Sequence, residues 1–271
     1  MTALLRRLLK LLPLSLIATV LPLPAAAETA SANIGIVIMH GKGGSPSKHV
    51  ADLASSLEGQ GFLVVNLEMP WSGRRDYDVN VIAAEGELEA ALKSLRDRGA
   101  KKLYVAGHSQ GGAFALYFGG KHVLDGVIAI APGGNVGSDT FREKLGEYVE
   151  HARKLIAAGK AEEKIRLADF ESAKGLYTVT TTPSIYLTWF DPEGAMNQMI
   201  SVRNMNRAIP VLFIAPSRDY PGLIKVKQKM FDALPQNSRT RLYEPDASHV
   251  SAPSASFNEI AEWAAAIANA R

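Results

Sequence analysis

From residue 34 onward, short continuous apolar runs alternate with longer stretches in which apolar residues return every three or four positions. Ile34–Met39 (IGIVIM), residues 103–106 (LYVA), 126–131 (GVIAIA) and 209–215 (IPVLFIA) are of the first kind. Continuous runs of this length, rich in β-branched residues, suit strands covered on both faces, as in a parallel sheet. Residues 62–67 and 240–243 supply two further strands. The second kind predicts a helix over residues 47–59, with Val50, Leu53, Ala54 and Leu57 inward. It predicts another over 81–98, with Ile82, Leu88, Ala91, Leu92 and Leu95 inward. Helices are also expected at 113–118, 223–234 and 256–268. Strands and helices in alternation predict an α/β fold, a mostly parallel sheet of about six strands flanked by helices.

Two segments depart from this rhythm. Residues 135–208 are richer in charge and broken into short pieces, and are expected to form a cap-like insertion in a core made of residues 28–134 and 209–271. Within the insertion, Phe141, Leu145, Tyr148, Ala152 and Leu155 mark an amphipathic helix over 140–158. Tyr177, Tyr186, Trp189, Phe190, Met196 and Met199 follow, and either line an apolar site or anchor the insertion. The second segment is the N-terminus. Arg6, Arg7 and Lys10 precede an apolar run broken by Pro13 and Pro22, and Ala25-Ala26-Ala27 offers a small-residue cleavage site. Residues 1–27 therefore read as a signal peptide, too short in its apolar run to span a bilayer, and the protein is expected to be exported, periplasmic or secreted.

Composition narrows the function classes. Residues 1–27 hold three of the 30 Lys and Arg and no acidic residue, so the remainder balances the 27 Asp and Glu. Such a chain gives no support to a nucleic-acid partner or to stable membrane insertion after processing. It has no cysteine, which excludes disulfides and thiolate metal sites and leaves serine as the nucleophile. Neither an H-E-x-x-H metal motif nor a nucleotide fingerprint occurs, so no metal and no cofactor is expected.

The chemistry concentrates where strands end. Gly107-His108-Ser109-Gln110-Gly111 matches G-x-S-x-G between an apolar strand and a helix, a corner that exposes the serine hydroxyl beside unpaired helix N–H groups. Ile34–Met39 runs into the glycine-rich His40-Gly41-Lys42-Gly43-Gly44, where His40 reads as a structural residue. The Walker spacing is absent there, which argues against a phosphate loop. A serine needs an imidazole to take its proton and a carboxylate to orient that imidazole. His249 lies in a loop before the last helix, and Asp219 just past a buried strand. Asp191 is a turn residue in the insertion, and Asp246 is too near His249 in sequence. The loop at Met69–Tyr77 is expected to be too polar for the core, with Trp71 and Tyr77 either facing a substrate entrance or packing the loop.

With GHSQGG and HGKGG both present, the sequence resembles the α/β-hydrolase superfamily of serine esterases and lipases, from Ile34 to the C-terminus apart from the insertion. The resemblance implies an α/β-hydrolase fold and the chain order nucleophile, acid, histidine, here Ser109, Asp219 and His249. It implies an oxyanion hole from the backbone N–H groups of Lys42 and Gln110. A serine at the elbow argues against dehalogenase and epoxide hydrolase chemistry, which place a carboxylate there. The expected function is an exported serine hydrolase that cleaves a small-molecule carboxylic ester through an acyl-enzyme. Thioesterase or peptidase variants, and a binding protein of the same fold, are the alternatives. Oligomeric state, acyl group and alcohol stay open.

Overall fold

A computed structural model describes residues 30–172 and 174–270. The signal peptide expected at residues 1–27 lies outside the described residues. A six-stranded sheet forms the centre, built from β1 (Ile34–Met39), β2 (Leu63–Leu67), β3 (Lys102–His108), β4 (Gly126–Ile130), β7 (Val211–Ile214) and β8 (Arg241–Tyr243). Their order is β2-β1-β3-β4-β7-β8, and every neighbouring pair is parallel. All C-terminal strand ends therefore share one edge, which collects the loops after β1, β3, β7 and β8.

The central strands β1, β4 and β7 are apolar on both sides because each side carries helices. Ile34, Ile36 and Ile38 of β1 face α1 (Ala51–Gly59) and the final helix α9 (Phe257–Asn269), packing with Leu53, Leu57 and Trp263. Val37 and Met39 face the opposite core, which holds Leu88 of α2 (Val81–Asp97) and Phe114 of α3 (Gln110–Gly119). Helix α7 (Pro221–Asp232) and the short α8 (Ala252–Ala255) complete the flanking helices.

Between β4 and β7 the chain forms α4 (Asp139–Ala157), a hairpin of β5 (Ile165–Glu171) and β6 (Gly175–Thr181), then α5 (Pro183–Phe190) and α6 (Gln198–Arg203). Three of these helices are capped by side chains the sequence supplies: Ser138 for α4, Thr182 for α5 and Asn197 for α6. Among the described residues no helix is long and apolar enough to cross a membrane.

Two readings of the pattern need correction. Ile82 is 74 % exposed rather than inward. It stands six positions before Leu88, which turns it to the far side of α2, and Val81 and Ala84 take the buried stripe instead. The 69–77 loop is not a polar excursion, since Met69, Trp71 and Tyr77 are all buried. The Trp71 ring meets Phe114 and Trp189 edge-on with centroids 5.5 and 5.6 Å apart, so it packs the loop into the core.

Candidate active site

Ser109 joins β3 to α3 with φ 55° and ψ −116°, a backbone conformation that costs a non-glycine residue about 1–3 kcal/mol. Glycines make the corner possible. A Cβ on Gly107 would lie 2.0 Å from the Gly111 carbonyl oxygen, and one on Gly111 would lie 2.6 Å from that of Met39. The turn is thus pressed against the end of β1. The Ser109 N–H donates to Ile130 O at 2.9 Å, and its carbonyl accepts from the Gly133 N–H at 3.0 Å, so the end of β4 braces the corner.

Beyond β7 and β8 the two loops continue the parallel ladder. Ser217 N–H donates to Pro245 O, Arg218 N–H donates to Ala247 O, and Arg218 pairs with Ser248. The next residue on each side is Asp219 and His249. Their side chains are nearly buried and meet, with Asp219 Oδ1 2.7 Å from His249 Nδ1. A carboxylate only accepts, so Nδ1 carries the hydrogen and Nε2 is left as the basic nitrogen. Asp219 Oδ1 also accepts from the Tyr220 N–H at 2.6 Å. The two alternative aspartates stand elsewhere: Asp191 pairs with Arg153, and Asp246 is exposed beside Arg218.

His108 supports this arrangement from behind. Its Nε2 lies 2.9 Å from the His249 carbonyl oxygen, which fixes Nε2 as the protonated nitrogen. Burial, and after it the neighbouring His249, push its pKa down to about 3. Among the described residues the hydrogen bonds here run His108–His249–Asp219 and do not extend to Ser109 Oγ.

The glycine-rich loop is fixed from the other side. His40 Nε2 accepts from the Met69 N–H at 3.0 Å, so its Nδ1 carries the hydrogen and donates to Gly41 O at 2.7 Å. Burial lowers the His40 pKa, which keeps that neutral tautomer. Trp71 Nε1–H donates to His40 O, and Gly43 N–H donates to Trp71 O, both at 2.9 Å. The loop lies against the Ser109 corner, because a Cβ on Gly41 would meet Ser109 Cβ at 3.0 Å. Among the described residues the Lys42 N–H has no backbone acceptor. Gln110 opens α3, so its N–H has no partner within the helix either.

A family model for the alpha/beta hydrolase family matches residues 36–267. The chain belongs to this family. Among solved structures, the hydrolase is similar to a monoacylglycerol lipase from Paleococcus ferrophilus, at 18% identity and a TM-score of 0.60, covering 86% of this chain and 94% of that one. It is similar to a thermostable carboxyl esterase from Bacillus coagulans, at 14% identity and 0.59, covering 86% and 88%. A siderophore hydrolase, EstB from Aspergillus fumigatus, follows at 17% and 0.56, covering 91% and 93%. At these identities the likeness is one of fold. No curated protein sequence matches the chain.

One residue of the hydrolase escaped sequence reasoning. Asp169, on β5 and 0 % exposed, accepts from Lys42 Nζ at 2.6 Å, Tyr77 Oη at 2.8 Å and Tyr177 Oη at 2.7 Å. Burial, followed by the Asp169 charge, raises the Tyr77 pKa far above the ordinary phenol value, so it stays a donor. Removing one member of such a buried ion pair costs about 3–5 kcal/mol. The one available signal was an acid inside an otherwise apolar run, Leu167-Ala168-Asp169-Phe170.

A cavity of about 250 Å³ lies beside this pair, lined by Val136, Phe141, Leu145, Val149, Phe190 and Pro192, with Arg142, Glu150 and Arg153 also on its wall. Lys42 Nζ sits 5.1 Å from the Phe141 ring centre and 5.9 Å from that of Phe190. The cavity is therefore one lysine side chain away from the Lys42 backbone. Among the described residues no cluster of three or more His, Cys, Asp or Glu is arranged to hold a metal ion.

Proposed function

We propose that this hydrolase cleaves a small-molecule carboxylic ester through an acyl-enzyme formed on Ser109. The observation that carries the reading is the 2.7 Å contact of His249 Nδ1 with Asp219, which leaves Nε2 free to act as base. In the proposed sequence, Ser109 Oγ attacks the ester carbonyl carbon as its proton passes to His249 Nε2. Asp219 steadies the imidazolium. The negative charge that develops on the carbonyl oxygen accepts from the N–H groups of Lys42 and Gln110. Collapse of this intermediate expels the alcohol, protonated by His249. Water then repeats the sequence with His249 as base and frees the acid. The Ser109–His249 hydrogen bond forms as substrate enters, as catalytic contacts commonly tighten only in the complex.

The lipase and esterase structures to which the fold is similar support ester over amide or thioester. The apolar wall of the 250 Å³ cavity supports an aliphatic or aromatic acyl chain lodged under α4. Hydrolysis of a graded panel of acyl esters, thioesters and peptides tests the reading. Turnover confined to thioesters or peptides would overturn the ester assignment, and no turnover of any would favour a binding protein. Export is proposed on the pattern of residues 1–27, and the intact mass of the protein from its own cell tests it: a full-length product contradicts cleavage.

A further inference from the structure

The two residues proposed to supply the oxyanion N–H groups also share a side-chain network. Lys42 Nζ donates to Asp169 Oδ1 at 2.6 Å and to Phe170 O at 3.2 Å. Asp169 Oδ2 accepts from Tyr77 Oη, and Tyr77 Oη accepts from Gln110 Nε2 at 3.3 Å. The chain of contacts therefore runs Lys42, Asp169, Tyr77, Gln110, four buried side chains linked through one carboxylate that the β5–β6 hairpin brings in. The same hairpin grips the backbone beneath Tyr77. Thr181 Oγ1 donates to Tyr77 O at 2.7 Å, and Thr180 N–H donates to Asp76 Oδ2 at 2.8 Å. Asp76 and Tyr77 both have positive φ, 49° and 56°, a conformation that persists where its surroundings enforce it.

Lys42 needs such an anchor. Within Gly41–Gly44 it is the one residue with a side chain, and Gly43 has φ 61°. The carbonyl of the Gly41–Lys42 peptide accepts from His40 Nδ1 at 2.7 Å and from the Gly44 N–H at 3.1 Å, and the glycines on both sides of Lys42 leave the tilt of its N–H to the side chain. A lysine with its ammonium held in a buried carboxylate sets that tilt, and an N–H that tilts away stabilises no oxyanion. We propose that Asp169 is a positioning residue for the oxyanion hole, fixing the Lys42 N–H directly and the Gln110 side chain through Tyr77 without touching substrate. This rests on the ester hydrolase reading above.

The test compares the wild type with Asp169→Asn, and with Lys42→Met/Asp169→Asn, which removes both charges and leaves none unpaired. Each is assayed on a short p-nitrophenyl ester and on the matching thionoester, whose C=S sulfur makes poor use of N–H donors. Deleting one oxyanion donor costs about 10²–10³ in kcat. A displaced donor should cost about 10- to 100-fold, with KM within about threefold and the ester-to-thionoester rate ratio falling by a similar factor. The double variant is expected to melt near the wild type and to keep the lowered ratio. A folded variant with the wild-type ratio overturns the inference, even if its activity is reduced. Recovery of kcat in the double variant does so as well, because the role is then only structural. Fluorophosphonate labelling of the wild type separates the two layers. A wild type that neither labels nor turns over the ester overturns the hydrolase reading and this inference with it, while one that does both leaves the variants to decide.

Discussion

Replacing His108 by Gln isolates a buried imidazole whose charge state the fold dictates. The ring is 3 % exposed and gives its hydrogen to the His249 carbonyl, so the folded protein holds it neutral down to about pH 3. In the unfolded chain the same ring takes up a proton near pH 6.5. The folded pKa is the lower one, so between these values the unfolded state binds more protons and stability falls as the pH drops. The slope is about 1.4 kcal/mol per pH unit. Between pH 7 and pH 5 this residue alone should therefore cost the wild type about 2 kcal/mol. Glutamine keeps an N–H donor for the His249 carbonyl and does not titrate. Urea unfolding of both proteins across that range reads the effect. The variant is expected to gain about 2 kcal/mol on the wild type by pH 5, whatever their difference at pH 7. Parallel stability curves would refute a neutral buried His108.

Asp219→Asn should lower kcat by about 10⁴, through loss of the productive tautomer and of imidazolium stabilisation, while Asp191→Asn should change it less than threefold. The reverse ranking in ester turnover would move the acid to the insertion. Trp189 is 1 % exposed, packs on Trp71, Phe114 and Tyr77, and donates to Val79 O at 2.8 Å. Trp189→Ala should accordingly cost about 3–5 kcal/mol, or roughly 6–20 °C in Tm, and leave the acyl-length profile unchanged. Phe190 lines the cavity, so Phe190→Ala should move the preferred acyl length. A shifted profile for Trp189→Ala at unchanged Tm would contradict this division of roles.

The parallel sheet was legible because burial on both faces leaves a direct trace, an unbroken apolar run such as Ile34–Met39. The elbow was legible for a related reason: Gly107 and Gly111 are demanded by contacts within a few residues of Ser109 and with the adjacent strand end. Asp219 and His249 stand beyond two strands recognisable by pattern, and the structure brings them to 2.7 Å. What stayed hidden depends on remote pairing. The β5–β6 hairpin is short and two-stranded, and part of its side chains face solvent, so its pattern is weak. Asp169 acquires its meaning only when that hairpin docks on Tyr77 and Lys42, 92 and 127 residues away in sequence. Trp71 and Tyr77 sat in a stretch with Pro70, Gly73 and three charges, and only the packing of α5 against them shows why their rings are buried.

The central claim is that Ser109 is a nucleophile activated by His249, and covalent labelling with a fluorophosphonate tests it most directly. The reagent asks for an activated hydroxyl and oxyanion donors and depends little on the acyl cavity. One adduct per chain is expected, mapped to Ser109, absent in Ser109→Ala and slowed at least 100-fold in His249→Ala, given that proton removal contributes about 10²–10⁴. An adduct that persists in Ser109→Ala, or that forms at the wild-type rate in His249→Ala, would contradict the account.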